Sequence, residues 1–483
     1  MEFFCSISTV TCELCNSNSE SHGKVTGPYA VRIVTQLAGE QILGVPVLAL
    51  KPPRSSPKDT IRWAVAWVLD ILHIKTRYWG VAHGFDRKRG LGVDVAVYFA
   101  DAPPKMYQLS QWLPVFQNHP DNLSFGLVLR SYQTYELLKD TTTLPIVHVP
   151  TFADLMALYR VSNFKAVVYV NNAMGNFQSL TVPELAHVHI NHGESDKICM
   201  VSNQVKAYDR VFVAGEAAVQ RHRAALSEFN EQLLVRVGRP QLDENPAASI
   251  PLSSRRTIVY APTWSGEDES NNYTSMETMG SHIIDAALAQ ENVRVIYKPH
   301  PRILDAIDPR VSAHHETILK AMKSAANSHP DAGHEVRLGG DILAIFPHTD
   351  LLISDVSSVG LDFLYLRPES PIILTDRRNN IANLNIEAPI SMATEVLTSG
   401  NIHDAPSIIK GVLSHDKHRS DRGILREFYF DNVKTGESSL RFFAAMNKAI
   451  SEHSTDMNRA RELASRGTGP QLSKTQGNEE VRN

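Results

Sequence analysis

"LLISDVSSVGLDFLYL", residues 351–366, starts as an unbroken apolar run, meets Asp355, and carries Ser357 and Ser358 into a second apolar stretch. The first run is strand-sized, and the second has the length and spacing of a helix. A strand apolar at consecutive positions is covered on both faces, as in a parallel sheet between two helical layers. If Val356 or Ser357 is the N-cap, the first helical N–H groups, two hydroxyls and the positive end of the helix dipole converge on one small volume. A diphosphate fits there, because anions bind helix N-termini without a dedicated lysine. Plain helix capping explains the same residues equally well.

The same alternation runs outward in both directions. "VDVAVYFA" (93–100), "SFGLVL" ending at Leu129, "PIVHVP", "KAVVYV" (165–170), "AHVHI" (186–190), "RVFVAG" and "LLVRVG" read as buried strands with helix-sized segments between them. A proline-, serine- and charge-rich stretch, "RPQLDENPAASIPLSSRR", follows Gly238 and reads as an interdomain linker. Strands resume with "TIVYAP" (257–262), "VRVIYKP" (293–299), "DLLISD" and "PIIL" (371–374). The order predicts two doubly wound α/β domains in series, whose chemistry lies in loops beyond the carboxyl ends of the strands. The division expected is a tail over 1–27, a first α/β domain over 28–240, a second over 241–425, a helical segment over 426–455 and a disordered tail over 456–483. The last amphipathic segment is expected over 438–450.

The totals restrict the function. With 483 residues the chain is too long for one core, and a formal net charge of -4 gives no electrostatic case for nucleic acid. Three of its four cysteines, Cys5, Cys12 and Cys15, lie in the first fifteen residues, and the fourth is Cys199, which fits a reducing compartment. "CELC" has metal or redox spacing, but no second CxxC or HxxxH completes a zinc site. No run approaches a membrane span, and no basic-then-apolar leader opens the chain. "IRWAVAWVLDILHI" (61–74) has helical apolar spacing and is either an interfacial helix on an anionic leaflet or a buried helix of the first domain.

Four loops after strands carry polar groups. "HINHGESDK" presents His192 and Gly193; "YKPHPR" presents Lys298, His300 and Arg302; "YAPTWSG" presents Thr263; "ISDVSSVG" presents Asp355, Ser357 and Ser358. A histidine before glycine suits a general base at neutral pH, since glycine admits a close substrate. His300 beside Lys298 suits a leaving phosphate. His187 and His189 alternate along a strand and read as packing residues. DxD pairs at strand ends, GxxxxGK[ST] and GxGxxG after the first strand are absent, which disfavours DxD-type sugar transfer and P-loop chemistry.

"YAPTW", "YKPHP", "LLISDVSSVGLDFLYLRPESPII" and His192-Gly193 followed by Lys197, in this order, resemble the CDP-glycerol glycerophosphotransferase family, the teichoic acid primases and polymerases. "VGRPQLD" and "REFYFDN" with "GESS" resemble further family segments. The resemblance implies a GT-B-like enzyme: two Rossmann-like domains facing a cleft, acceptor side first and nucleotide side second. It implies transfer of glycerol phosphate, or a related polyol phosphate, from a CDP-activated donor to a hydroxyl of a lipid-linked or polymeric acceptor, releasing CMP. His192 would be the base and His300 would support the leaving group. Ser357, Ser358, Thr263, Lys298, Gly193 and Asp355 would line the donor phosphates, and Asp362 would reach the polyol or ribose. No metal or other cofactor is implied, and the working place would be the cytoplasmic face of the membrane. Three positions depart from the family: Asn191 replaces an aromatic residue before HG, Ser265 an arginine after "APTW", and Val356 the aromatic of "DYSS". The alternatives are a nucleotide-sugar enzyme of the same architecture and a non-catalytic partner in envelope assembly.

Overall fold

The computed structural model describes residues 82–465, apart from 85, 87, 121, 244–246, 267, 307 and 435. The CELC segment, residues 61–74 and the sequence after 465 lie outside the described residues.

Every buried run expected to be a strand is one. β1 (Val95–Phe99), β2 (Phe125–Leu129), β3 (Ile146–His148), β4 (Ala166–Tyr169), β5 (Ala186–His189), β6 (Arg210–Val213) and β7 (Leu234–Arg236) form one sheet in the order 3-2-1-4-5-6-7. β8 (Arg256–Ala261), β9 (Val293–Tyr297), β10 (Glu335–Val336), β11 (Leu351–Asp355), β12 (Ile372–Asp376) and β13 (Glu395–Thr398) form a second in the order 10-9-8-11-12-13. All these pairings are parallel. Each sheet therefore reverses strand order once, between β1 and β4 and between β8 and β11. Ligands of doubly wound sheets bind at such reversals, because the connecting helices diverge there and leave a crevice.

Both faces of each sheet are covered, which is why their strands are continuously apolar. Val95, Val97 and Phe99 face one layer of the first sheet, and Ala96 and Tyr98 the other. In the second sheet Val259 and Leu352 oppose Ile258 and Ile353 in the same way.

Two features differ from expectation. The stretch after Gly238 does join the two sheets, yet Arg239, Pro240, Gln241, Leu242 and Ile250 are buried rather than solvated. Gly238 has φ 77°, and a Cβ there would lie 2.3 Å from Ser438 Oγ, so the chain turns tightly under the C-terminal helix. That helix runs from Glu437 to Ser465, well past residue 450, and residues 456–465 belong to it rather than to a tail. It returns to the first sheet and buries Phe442, Phe443 and Met446 there, each worth about 1.5–3 kcal/mol. The preceding helix, Arg419–Phe430, packs Leu425, Tyr429 and Phe430 in the core of the second sheet, together with Ala214 and Ala217 from the first half of the chain.

Candidate active site

The crevice of the second sheet is built by the loops after β8, β9 and β11. β11 ends at Asp355 and the helix Ser358–Leu366 begins three residues later, with Ser357 as its extended N-cap. The Ser357 hydroxyl makes no capping bond to its own helix and lies 3.4 Å from Ser354 Oγ. A cap serine that leaves its helix N–H groups unserved keeps them available for another acceptor. Thr263 follows β8 directly across the strand reversal. After β9, the His300 Nδ1 accepts from the Arg302 N–H at 3.1 Å. That places the ring proton on Nε2, so His300 can donate a hydrogen bond outward. The Arg302 guanidinium stacks 3.5 Å from the centre of the Trp264 ring, which holds this loop beside Thr263.

The facing loop comes from the first sheet. After β5 the chain turns through Asn191 at φ 54°, a left-handed position that asparagine tolerates, and the turn is fixed by Trp112 Nε1 donating to the Asn191 carbonyl at 2.6 Å. The following residues cross to the second half: a Cβ on Gly193 would stand 3.6 Å from Ser358 Cβ. Lys197 Nζ donates to Thr263 Oγ1 at 3.0 Å. Between them Glu194 and Asp196 are buried, each bonded by Arg221 at 2.7 Å, and Tyr429 donates to Asp196 at 2.6 Å. The loop is thus clamped from both halves. Tyr107, from the loop after β1, lies edge-on to both His192 and His300.

The electrostatics of this region follow from burial next to several cations. Burial pushes the His192 imidazole down to about 4, reinforced by Arg239 and Lys105, while the nearby Val170 carbonyl works against this. Burial, then Lys197, Arg302 and Lys298, push His300 down to about 4 as well. Both rings are neutral at pH 7, the form in which His192 accepts a proton. Burial also lowers Lys197 and Lys298. No carboxylate among the described residues makes an ion pair with Lys197. The described residues contain no cluster of three His, Cys, Asp or Glu that would hold a metal.

Residues 157–376 match the model of the CDP-glycerol:poly(glycerophosphate) glycerophosphotransferase family. Over that segment, a little under half of the chain, the sequence is similar to this family of transferases. Several solved structures align with the chain. A Listeria monocytogenes protein assigned as a UDP-N-acetylglucosamine 2-epimerase aligns with TM-score 0.50 and 12% identity, over 75% of this chain and 97% of that one. The wall teichoic acid polymerase TagF gives 0.45 and 14%, over 81% and 97%. The UDP-GlcNAc 2-epimerase of Neisseria meningitidis, bound to UDP-GlcNAc, gives 0.48 and 10%, over 74% and 100%. At such identities the likeness is one of fold, and the fold is GT-B-like. No curated protein matches the chain by sequence.

Of the residues singled out from sequence, His192, Gly193, His300, Thr263, Ser357 and Ser358 gather around the meeting point of the two halves, while Lys298 is buried and acts on His300 through its charge. Two assignments are corrected. Asp355 is 0% exposed, and its carboxylate accepts from Thr263 N, Ser275 N and Thr375 Oγ1 at 2.7, 3.2 and 2.6 Å. It ties the segments at Thr263 and Ser275 to β12 from within and presents no surface to a phosphate. Asp362 is also buried and pairs with Arg239, whose Nη2 and Nε lie 2.7 and 3.2 Å from Oδ1, so it does not reach a polyol or ribose.

Sequence reasoning passed over Arg239, Gln241 and Tyr107. Gln241 joins the Arg239 fork to the His192 carbonyl, at 3.3 and 3.4 Å, so one polar chain links the Ser358–Leu366 helix to the His192 loop. "GRPQ" lay inside a stretch whose composition read as linker, and only its family likeness hinted at a packed role.

Proposed function

We propose that the chain transfers glycerol phosphate, or a related polyol phosphate, from a CDP-activated donor to a hydroxyl of a lipid-linked or polymeric acceptor. The observation that carries this reading is the closure of the helix-terminus crevice by the His192–Lys197 loop, which brings two neutral histidines from separate sheets to one aromatic ring. The match of residues 157–376 to the glycerophosphotransferase family supports the choice of donor.

In this mechanism the donor diphosphate sits on the N-terminus of the Ser358–Leu366 helix, with Ser357, Ser358 and Thr263 as hydroxyl partners. Lys197 and Lys298 face its charge. The acceptor oxygen gives its proton to Nε2 of His192 and attacks the phosphorus that bears the polyol. The bond from that phosphorus to the bridging oxygen breaks, and CMP departs with that oxygen. His300, whose Nδ1 is already occupied, donates from Nε2 to the departing phosphate. Water-excluded donors aimed at developing charge are the strongest catalytic device of such sites. Work at the inner membrane face follows from a lipid-linked acceptor, and no helix of the described residues is long and apolar enough to cross a membrane.

The test offers purified protein CDP-glycerol and CDP-ribitol in turn, with a lipid-linked acceptor and EDTA, and measures CMP. CMP release from one donor, lost in His192→Ala, is expected. Release of UDP or GDP from sugar nucleotides, with silence toward both CDP-polyols, overturns the proposal.

A further inference from the structure

The loop after β1 enters the cleft upstream of the family segment, and it does so at the strand reversal of the first sheet. Pro103 and Pro104 stiffen its entry. Leu109 is fully buried, and Gln108 is fixed by accepting from Asn171 Nδ2 at 2.7 Å. Gln108 Nε2 in turn donates to the Tyr107 hydroxyl at 3.3 Å. The tyrosine hydroxyl is thereby tied to a buried neighbour, although the side chain itself stays exposed. Its ring stands 5.9 Å from His192 at 88° and 6.2 Å from His300 at 87°, centroid to centroid. A single aromatic side chain meets both imidazoles from edge-on directions, and 38% of it stays exposed.

We infer that Tyr107 is a positioning residue that makes the site select an organic hydroxyl over water. This rests on the transfer reading above. The volume between the two histidines is where an acceptor oxygen and a phosphorus have to meet, and the competing nucleophile there is solvent. In that side reaction a water oxygen bonds to the polyol-bearing phosphorus and its proton passes to His192. The bond to the bridging oxygen breaks, giving free polyol phosphate and CMP. The Tyr107 ring covers part of the approach with an apolar face, which leaves less room for water beside the phosphorus. A carbon-bearing acceptor packs on the exposed face of the ring and is carried to His192 with its hydroxyl leading. Exclusion of water from a site that handles an activated phosphate is a selectivity device as well as an electrostatic one.

The experiment measures two rates for the full-length protein: CMP formed with CDP-polyol alone, and polyol phosphate transferred to acceptor. Tyr107→Ala is expected to slow transfer by about 10- to 100-fold, the scale of a misplaced reactant, while hydrolysis does not fall. The hydrolysis-to-transfer ratio rises by the same factor. Tyr107→Phe, which keeps the ring, is expected to restore the wild-type ratio. Equal slowing of both rates in Tyr107→Ala, with the ratio unchanged, overturns the role of Tyr107 and leaves the transfer reading standing. A wild-type protein inert toward every CDP-polyol overturns both.

Discussion

Arg239→Met separates two accounts of Asp362, as a ligand of the donor or as half of an internal clamp. The Arg239 and Asp362 side chains are 6% and 10% exposed and share two hydrogen bonds, at 2.7 and 3.2 Å. Removing the cation strands a buried carboxylate, and such losses cost about 3–5 kcal/mol. Burial already pushes the Asp362 carboxyl up, and Arg239 only partly offsets this. Asp362→Asn keeps an acceptor for Arg239 but leaves a buried guanidinium, which cannot give up its proton, without a countercharge, and is expected to cost about 3–5 kcal/mol as well. The double variant Arg239→Met with Asp362→Leu leaves no buried charge and should recover most of the loss, because an apolar pair of similar size often replaces a buried ion pair at little cost. Urea denaturation followed by tryptophan fluorescence measures all three. In a donor titration, Asp362→Asn should bind CDP-polyol as the wild type does. An Arg239→Met penalty below about 1 kcal/mol, the scale of an exposed pair, refutes the clamp. A large loss of donor affinity in a stably folded Asp362→Asn returns Asp362 to the binding site.

Three further outcomes follow from the site. His192→Ala is expected to lower turnover by about 100-fold or more, the contribution of a general base, and an unchanged kcat removes His192 from the mechanism. The base must be neutral, and a group held down to about 4 is neutral above that pH. Activity of the free enzyme, read as kcat/KM, should therefore stay level through pH 6.5 and fall only as pH drops toward about 4; a limb centred near 6.5 contradicts the burial of His192. Ser357→Ala with Ser358→Ala should weaken donor binding yet leave urea stability nearly unchanged, since the Ser357 hydroxyl caps nothing. Lost stability with donor affinity intact would make the pair an ordinary cap.

Much of this architecture is written locally. Strands such as "VAVYF" and "LLISD" announce themselves because burial on both faces demands apolar residues at every position, and the loops after them carry His192, His300 and the serine pair in plain view. Asp355 looked like part of the phosphate seat for the same local reason: it precedes the serines. Its side chain points the other way from the next loop because it closes the strand, and only the positions of Thr263, Ser275 and Thr375, from three other segments, reveal that.

By itself, then, the amino-acid order determined the parallel sheets, their two-part arrangement and the loops that hold the candidate site residues, since periodicity and turn residues act over a few neighbours. Tertiary structure alone decided that Tyr107 reaches both histidines, that Arg239 is half of a buried pair with Asp362, and that the last helix returns to the first sheet. These contacts join residues far apart in the chain, and no local pattern encodes such a partner. It is chosen when two sheets with the same strand reversal pack their crevices toward one another.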